Sequence, residues 1–260
     1  MQESPVAVIT GASGGIGAAL ARRLGRKGVR MVLAARRADA LRAVSDDIAG
    51  DTLTVPADVT RRVDVYRIRD AAIERFGTVD VWVNNAGRGI NAPVLELTDE
   101  QFDEMMTVNV KSALYGMQAI VPYFKERARG HLINVSSFLS RVPLATYRSA
   151  YNAAKAALNA LTANLRMDLR RQYPEIHVSL VMPGMVTTEF ARNALGGTPS
   201  VTWASARPGA PAPVIQTADE VAQAIEQLIA EPRAEIYTQP GQSETVIRYF
   251  NDVAGFEQNM

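Results

Sequence analysis

Short β-branched apolar runs alternate with longer helical stretches along almost the whole chain, and few folds accept that order. The runs fall at residues 6–10, 30–35, 52–56, 79–84, 131–136, 177–182 and 235–238. Between them, residues 15–27, 38–49, 61–76, 99–127, 150–172 and 218–230 carry helical periodicity. Runs such as Val79-Asp80-Val81-Trp82-Val83 and Leu132-Ile133-Asn134-Val135 are apolar nearly throughout, as strands covered by helices on both faces must be. Helix starts have their own cues: Thr98-Asp99-Glu100-Gln101 reads as a capping box, and Thr217-Ala218-Asp219-Glu220 as a cap with early acids that complement the helix dipole. The order predicts an α/β protein, a doubly wound sheet of about seven parallel strands with helices on both faces.

Composition narrows the chemistry. Of 260 residues, 47% are hydrophobic and 21% charged, enough apolar material for one large core and too much for a disordered chain. With no linker between composition regimes, residues 1–260 read as a single domain. The 28 Lys and Arg against 27 Asp and Glu leave no global field to hold a nucleic acid. The absence of cysteine removes disulfides, thiolate metal sites and thiol nucleophiles, and His131 and His177 alone make a poor metal site. No apolar run reaches the roughly 18 residues of a membrane span, and residues 1–5 lack a basic flank or cleavage site, so a soluble, cytoplasmic protein is expected. One irregular stretch, about 190–216, is rich in Gly and Pro and too long for a passive connection; it reads as a substrate-binding loop or lid.

Directly after the first run stands Thr10-Gly11-Ala12-Ser13-Gly14-Gly15-Ile16-Gly17, followed by helical sequence. A strand, a glycine turn and a helix start in that order let a backbone approach a pyrophosphate, whose charge the helix amides offset. This is the Rossmann-type arrangement in a GxxxGxG variant, with Gly11 and Gly17 expected where a side chain would occupy the ligand's space. A purely structural glycine turn is the competing reading. The second run ends at Ala34-Ala35 and meets Arg36-Arg37, where a carboxylate for a ribose 2′-hydroxyl would otherwise stand. A guanidinium grips a 2′-phosphate bidentately, so NADP(H) is the expected cofactor, with Arg36 the main contact and Arg37 its backup.

With these features in place, the chain resembles the short-chain dehydrogenase/reductase family in its compact, single-domain branch. Residues 10–17, Asp58, Asn84-Asn85-Ala86-Gly87, Asn109, Ser136-Ser137, Tyr151-Asn152-Ala153-Ala154-Lys155 and the stretch from Pro183 to Thr188 carry the resemblance over nearly the whole chain. Tyr151 and Lys155 stand four apart, on one face of a helix, where a cation favours phenolate. The resemblance implies that Tyr151 gives or takes the proton while Lys155 lowers its pKa and binds the nicotinamide ribose. It also implies that Ser137 orients the carbonyl, with Ser136 the close competitor, and that Asn109 holds a relay water. Cofactor contacts are implied for Gly11, Ser13, Gly15, Ile16 and Gly17, for Asp58 and Val59 at the adenine, and for Asn85, Ala86 and Gly87. Pro183, Gly184, Val186 and Thr188 are implied around the carboxamide and phosphate. Two features depart from the pattern: Ser140 stands where glycine is frequent, and the segment between Ser137 and Tyr151 is about one residue longer than usual.

These readings point to an NADP(H)-dependent oxidoreductase acting on a small-molecule ketone or secondary alcohol, with homodimers or homotetramers expected by analogy. Phe138, Leu139, Tyr147, Met185, Phe190 and Trp203 suggest an apolar pocket, although each is equally suited to a core. Arg141, Arg192 or Arg207 are candidates for pairing with an acidic substrate instead. Two other functions fit the same residues: an NAD-preferring dehydrogenase, and a sensor or scaffold that holds NADPH without turnover.

Overall fold

A computed structural model describes residues 4–197 and 214–259. Seven strands, β1 (Val6–Thr10), β2 (Arg30–Ala35), β3 (Thr52–Pro56), β4 (Val81–Asn84), β5 (Gly130–Val135), β6 (Ile176–Met182) and β9 (Glu235–Tyr237), form one sheet in the order β3-β2-β1-β4-β5-β6-β9. Every pairing is parallel. Alternation along each strand divides the core. Val6 and Val8 pack on one face with Trp82, Leu132 and the helices α3 (Arg62–Phe76), α5 (Ser112–Arg127) and α6 (Ser149–Leu169). Ala7 and Ile9 pack on the other with Val83, Ile133, α1 (Gly15–Arg26), α2 (Ala38–Asp46) and α7 (Ala218–Ala230). Burial on both faces explains why these strands are apolar throughout, each fully buried Val, Leu or Ile contributing about 1.5–3 kcal/mol.

The structure departs from the sequence reading in three places. The stretch 99–127 is not one helix: α4 (Asp99–Met106) and α5 flank a π-helical turn, Thr107–Lys111, which carries Asn109. Beyond β6, β7 (Met185–Thr187) pairs in parallel with β8 (Ile215–Thr217). Two helices follow the last sheet strand, α8 (Gln242–Asn251) and α9 (Val253–Gln258), and little of either is buried. Of the irregular stretch near 190–216, residues 198–213 lie outside the described residues. Its first part is stitched to the segment after β4, Asn91 N–H donating to the Leu195 carbonyl at 2.7 Å and Leu195 N–H to the Gly89 carbonyl at 3.0 Å.

One buried group has a pH consequence. His131 Nε2 lies 2.8 Å from Ser179 Oγ, and Ser179 gives its own proton to the Arg233 carbonyl. The imidazole is therefore the donor, neutral with its proton on Nε2, and Nδ1 has no partner. Burial, helped by the neighbouring His177, holds its pKa at about 3 against 6.5 for a free imidazole. Because the folded value is depressed, the unfolded chain binds more protons between these limits, and stability falls as pH drops through that window. Urea titrations from pH 7 to 3 are expected to show a His131-dependent loss on the order of a few kcal/mol, absent in His131→Asn. Equal pH slopes in the two proteins would contradict this.

Candidate active site

The strand order reverses between β1 and β4, and there a cavity of about 1260 Å3 opens along the carboxyl ends of the strands. Ser13, Gly14, Gly15 and Ile16 of the glycine turn line it beside Gly11. Gly17 does not, and the reason for glycine at 11 and 17 differs from the expected one. A Cβ on Gly11, whose φ is +68°, would lie 2.9 Å from Ala86 Cα; one on Gly17 would lie 2.5 Å from the Gly11 oxygen and 2.6 Å from Asn85 Nδ2. These glycines let the turn press against the end of β4, and of the two only Gly11 also lines the cavity. Asn85 locks the same contact, donating to the Thr10 carbonyl at 2.9 Å and the Gly11 carbonyl at 3.3 Å. Helix α1 starts without a side-chain cap or an acid in its first turn, which suits an anion at that end.

Along the cavity from the turn lie Arg36 and Arg37, both exposed, then Asp58 and Val59. Arg37 sits 3.7 Å from Glu189, whereas Arg36 makes no ion pair or hydrogen bond among the described residues. Asp58 Oδ1 accepts from the Thr60 amide at 3.0 Å and hydroxyl at 2.7 Å, which fixes the carboxylate at the end of β3. Ala86 and Gly87 form the wall opposite.

Helix α6 brings Tyr151 and Lys155 to the same cavity, one turn apart and both buried. Lys155 Nζ donates to the Val135 carbonyl at 2.9 Å, and burial lowers its pKa to about 8. Gly87 leaves it room: a Cβ there would stand 3.5 Å from Nζ and 2.9 Å from Asn109 Oδ1. Burial pushes the Tyr151 phenol upward, opposed by a hydrogen bond with Ser137 and by the Arg148 guanidinium. The sequence reading assigned that opposition to Lys155; in the protein alone it comes from Ser137 and Arg148.

The two serines separate cleanly. Ser136 Oγ is spent on Asn159 Oδ1 at 2.6 Å and on the Lys155 carbonyl at 3.3 Å. Ser137 Oγ accepts from the Leu139 amide at 3.2 Å and meets the phenol. Ser140, in the place of the usual glycine, donates to the Ser137 carbonyl and accepts from Asn159 Nδ2, tying the serine turn to α6. Asn109 Nδ2 donates to the carbonyls of Arg88 at 3.0 Å and Met105 at 3.1 Å, while Oδ1 accepts from the Arg88 amide at 3.2 Å. Its side chain holds the turn beside Lys155, leaving one lone pair of Oδ1 for a water.

Past β6, Pro183, Gly184, Val186 and Thr188 line the cavity. The Gly184 Cβ position is filled by Gln239 and Gln242, 2.3 Å from Gln239 Oε1, and both glutamines line the cavity without having been anticipated. Thr188 Oγ1 accepts from the Phe190 amide at 3.2 Å, and its methyl lies 3.4 Å from where a Gly15 Cβ would stand. Phe138, Leu139, Tyr147, Met185 and Phe190 also line it, the Phe190 ring 5.4 Å from that of Tyr151. Trp203 and Arg207 lie outside the described residues. Arg141 is bound to Glu235 at 2.8 Å and Arg192 is 80% exposed; neither lines this cavity, whereas Arg148, which the sequence reading passed over, does. Its position three residues before Tyr151 was the available signal. Among the described residues no cluster of His, Asp or Glu suits a metal ion.

A doubly wound parallel sheet with a glycine turn and a Tyr-Lys helix on one cavity defines a nucleotide-binding α/β protein. The family model for short chain dehydrogenase matches residues 5–196. An uncharacterised oxidoreductase of Staphylococcus epidermidis is 37% identical over 183 residues, covering 70% of this chain and 78% of the relative. One from Staphylococcus aureus is 36% identical, again covering 70% and 78%. Among solved structures, a short chain dehydrogenase/reductase from Burkholderia phymatum in complex with NAD superposes with a TM-score of 0.85 at 29% identity, over 96% of this chain and 94% of that one. An alcohol dehydrogenase from Thermococcus sibiricus complexed with 5-hydroxy-NADP gives 0.74 at 30%, over 90% and 96%. The chain belongs to the short-chain dehydrogenase family, and is an oxidoreductase of that kind.

Proposed function

We propose that the protein transfers hydride between NADP(H) and a ketone or secondary alcohol, with Tyr151 as the general acid and base. The observation that carries this reading is the meeting of a buried phenol, the Ser137 hydroxyl and the buried Lys155 ammonium on one cavity wall. NADPH, when bound, supplies the hydride. Tyr151 holds the proton: a phenol pushed up by burial stays protonated near neutral pH, the form needed to protonate a carbonyl oxygen in reduction. Ser137 orients that oxygen. Lys155 has N–H groups to spare beyond its bond to Val135, and a buried ammonium demands acceptors that the ribose hydroxyls provide. Asn109 holds the Gly87-Arg88 turn against Lys155 and, through its remaining lone pair, a water for proton exchange. The uncapped start of α1, with Gly11, Ser13, Gly15 and Ile16, takes the diphosphate.

NADP(H) is preferred because the end of β2 presents two guanidinium groups and no carboxylate, and Arg36 has no partner among the described residues to give up. In a fluorescence titration, NADPH is expected to bind wild type at least tenfold more tightly than NADH. Arg36→Ser is expected to remove most of that ratio while leaving NADH affinity unchanged, since the side chain is exposed. Equal affinities in wild type would rule out the NADP assignment.

A further inference from the structure

We propose that Arg148 is the specificity-determining residue of this site and receives a carboxylate carried by the substrate, so that the preferred reactants are an oxo acid and its hydroxy acid. The proposal rests on the oxidoreductase reading above. Arg148 is the N-cap residue of α6, three before Tyr151, a spacing that places two side chains on one helix face. Both line the cavity. The guanidinium carbon lies 5.6 Å from the centroid of Tyr147 and 5.9 Å from that of Phe190, whose ring is the one that abuts Tyr151. Gly89 makes the space, since a Cβ there would fall 2.4 Å from Arg148 Nη1 and 2.9 Å from the Phe190 ring. A cation is thus held a single ring away from the phenol.

Among the described residues this cation has no counter-ion. Its hydrogen bond among the described residues runs from Nη1 to the Ile90 carbonyl at a long 3.4 Å, out of five N–H donors. Of the other cations on the cavity, Arg88 is engaged with Glu104 at 2.5 Å, Arg37 with Glu189 at 3.7 Å and Lys155 with the Val135 carbonyl, while Arg36, just past the end of β2, is the one assigned above to the cofactor. Asp103 lines the rim and forms no ion pair with Arg148. Residues 198–213 contain no Asp or Glu, so that part of the chain has no carboxylate to offer. A half-buried guanidinium braced by two aromatic faces is preorganised for a bidentate acceptor, and a carboxylate matches its fork. Phe138, Leu139 and Met185 provide the apolar wall for the carbons between the two groups. In the reduction, hydride from NADPH goes to the carbonyl carbon and the Tyr151 proton to its oxygen; the carboxylate is unchanged, and the products are a hydroxy acid and NADP+.

The test uses α-, β- and γ-keto acids and their methyl esters as substrates for wild type, Arg148→Met and Arg148→Lys. Pentanoate, which cannot be reduced, is titrated calorimetrically into the NADP+-saturated proteins. Wild type is expected to prefer one acid over its ester at least tenfold in kcat/KM. Arg148→Met should lower kcat/KM for that acid at least thirtyfold, mainly through KM, lower that of the ester at least tenfold less than that of the acid, and abolish pentanoate binding; Arg148→Lys should restore part of both. Preference of wild type for the ester, or equal losses on acid and ester, would overturn the proposal and reduce Arg148 to a brace. If no acid or ester consumes NADPH but pentanoate binding still depends on Arg148, the redox reading fails and the carboxylate site stands. If wild type does not bind pentanoate, or binds it as tightly as Arg148→Met does, the site falls.

Discussion

Tyr151→Phe is expected to lose at least a hundredfold in kcat while its NADPH dissociation constant stays within threefold of wild type. The substitution deletes one oxygen and keeps the ring that packs edge-on to Phe190 at 5.4 Å, so the cavity wall and the glycine turn are undisturbed. Removing a general acid costs about 10²–10⁴ in rate, and a loss confined to kcat is the signature of a group that acts only in the transition state. Steady-state kinetics on any ketone that wild type reduces, paired with NADPH fluorescence, separates the two effects. Turnover unchanged in the variant would send the protein back to a dinucleotide-binding sensor or scaffold.

Lys155→Met, by contrast, is expected to abolish turnover and at the same time make the cofactor-free protein more stable. Lys155 is 4% exposed and has one carbonyl partner, and burial drops its pKa from 10.5 to about 8. That shift is worth a few kcal/mol against the folded state wherever the amine is charged in both states, offset in the variant by about 1 kcal/mol for the Val135 carbonyl left alone. The balance predicts a Tm rise of about 2–6 °C for a chain of this size. The sign in pH follows from the depressed folded value. Below pH 8 the full penalty acts on wild type; between 8 and 10.5 the unfolded chain binds more protons, so wild-type stability rises and the advantage of Lys155→Met shrinks. Thermal melts of both apoproteins from pH 6.5 to 10 measure this. A variant less stable than wild type at pH 7 would mean that the ammonium is better solvated than its burial implies. A residue that costs stability when its ligand is absent belongs to function rather than to the fold.

Much of the architecture was legible because it rests on local pattern. Apolar runs without alternation announced strands buried on two faces, and each central strand of the sheet was placed within a residue or two by that signal alone. The capping box at Thr98 and the cap at Thr217 are local as well, and in the structure both form boxes with reciprocal bonds. Helix α8 was missed although Val246, Ile247 and Phe250 recur at helical spacing, and the structure leaves Ile247 and Phe250 exposed; the π turn around Asn109 escaped because one extra residue in a helix leaves no mark in hydrophobic periodicity. The reason for glycine at 17 was misread for a related cause: its constraint comes from Gly11 and Asn85, the latter brought alongside from a different strand.

The order of strands and helices, the glycine turn at the end of β1 and the one-turn spacing of Tyr151 and Lys155 were determined by the sequence alone, because each depends on neighbours within a few positions along the chain. Which hydroxyl of the serine pair meets the phenol, and which arginine stands uncompensated beside it, only the tertiary structure decided. Ser136 is claimed by Asn159 from α6, Arg141 by Glu235 from β9, and Arg148 by no carboxylate among the described residues. Those assignments depend on which side chains from distant segments arrive first at each polar group, and a buried group that has found a partner is no longer available to a substrate.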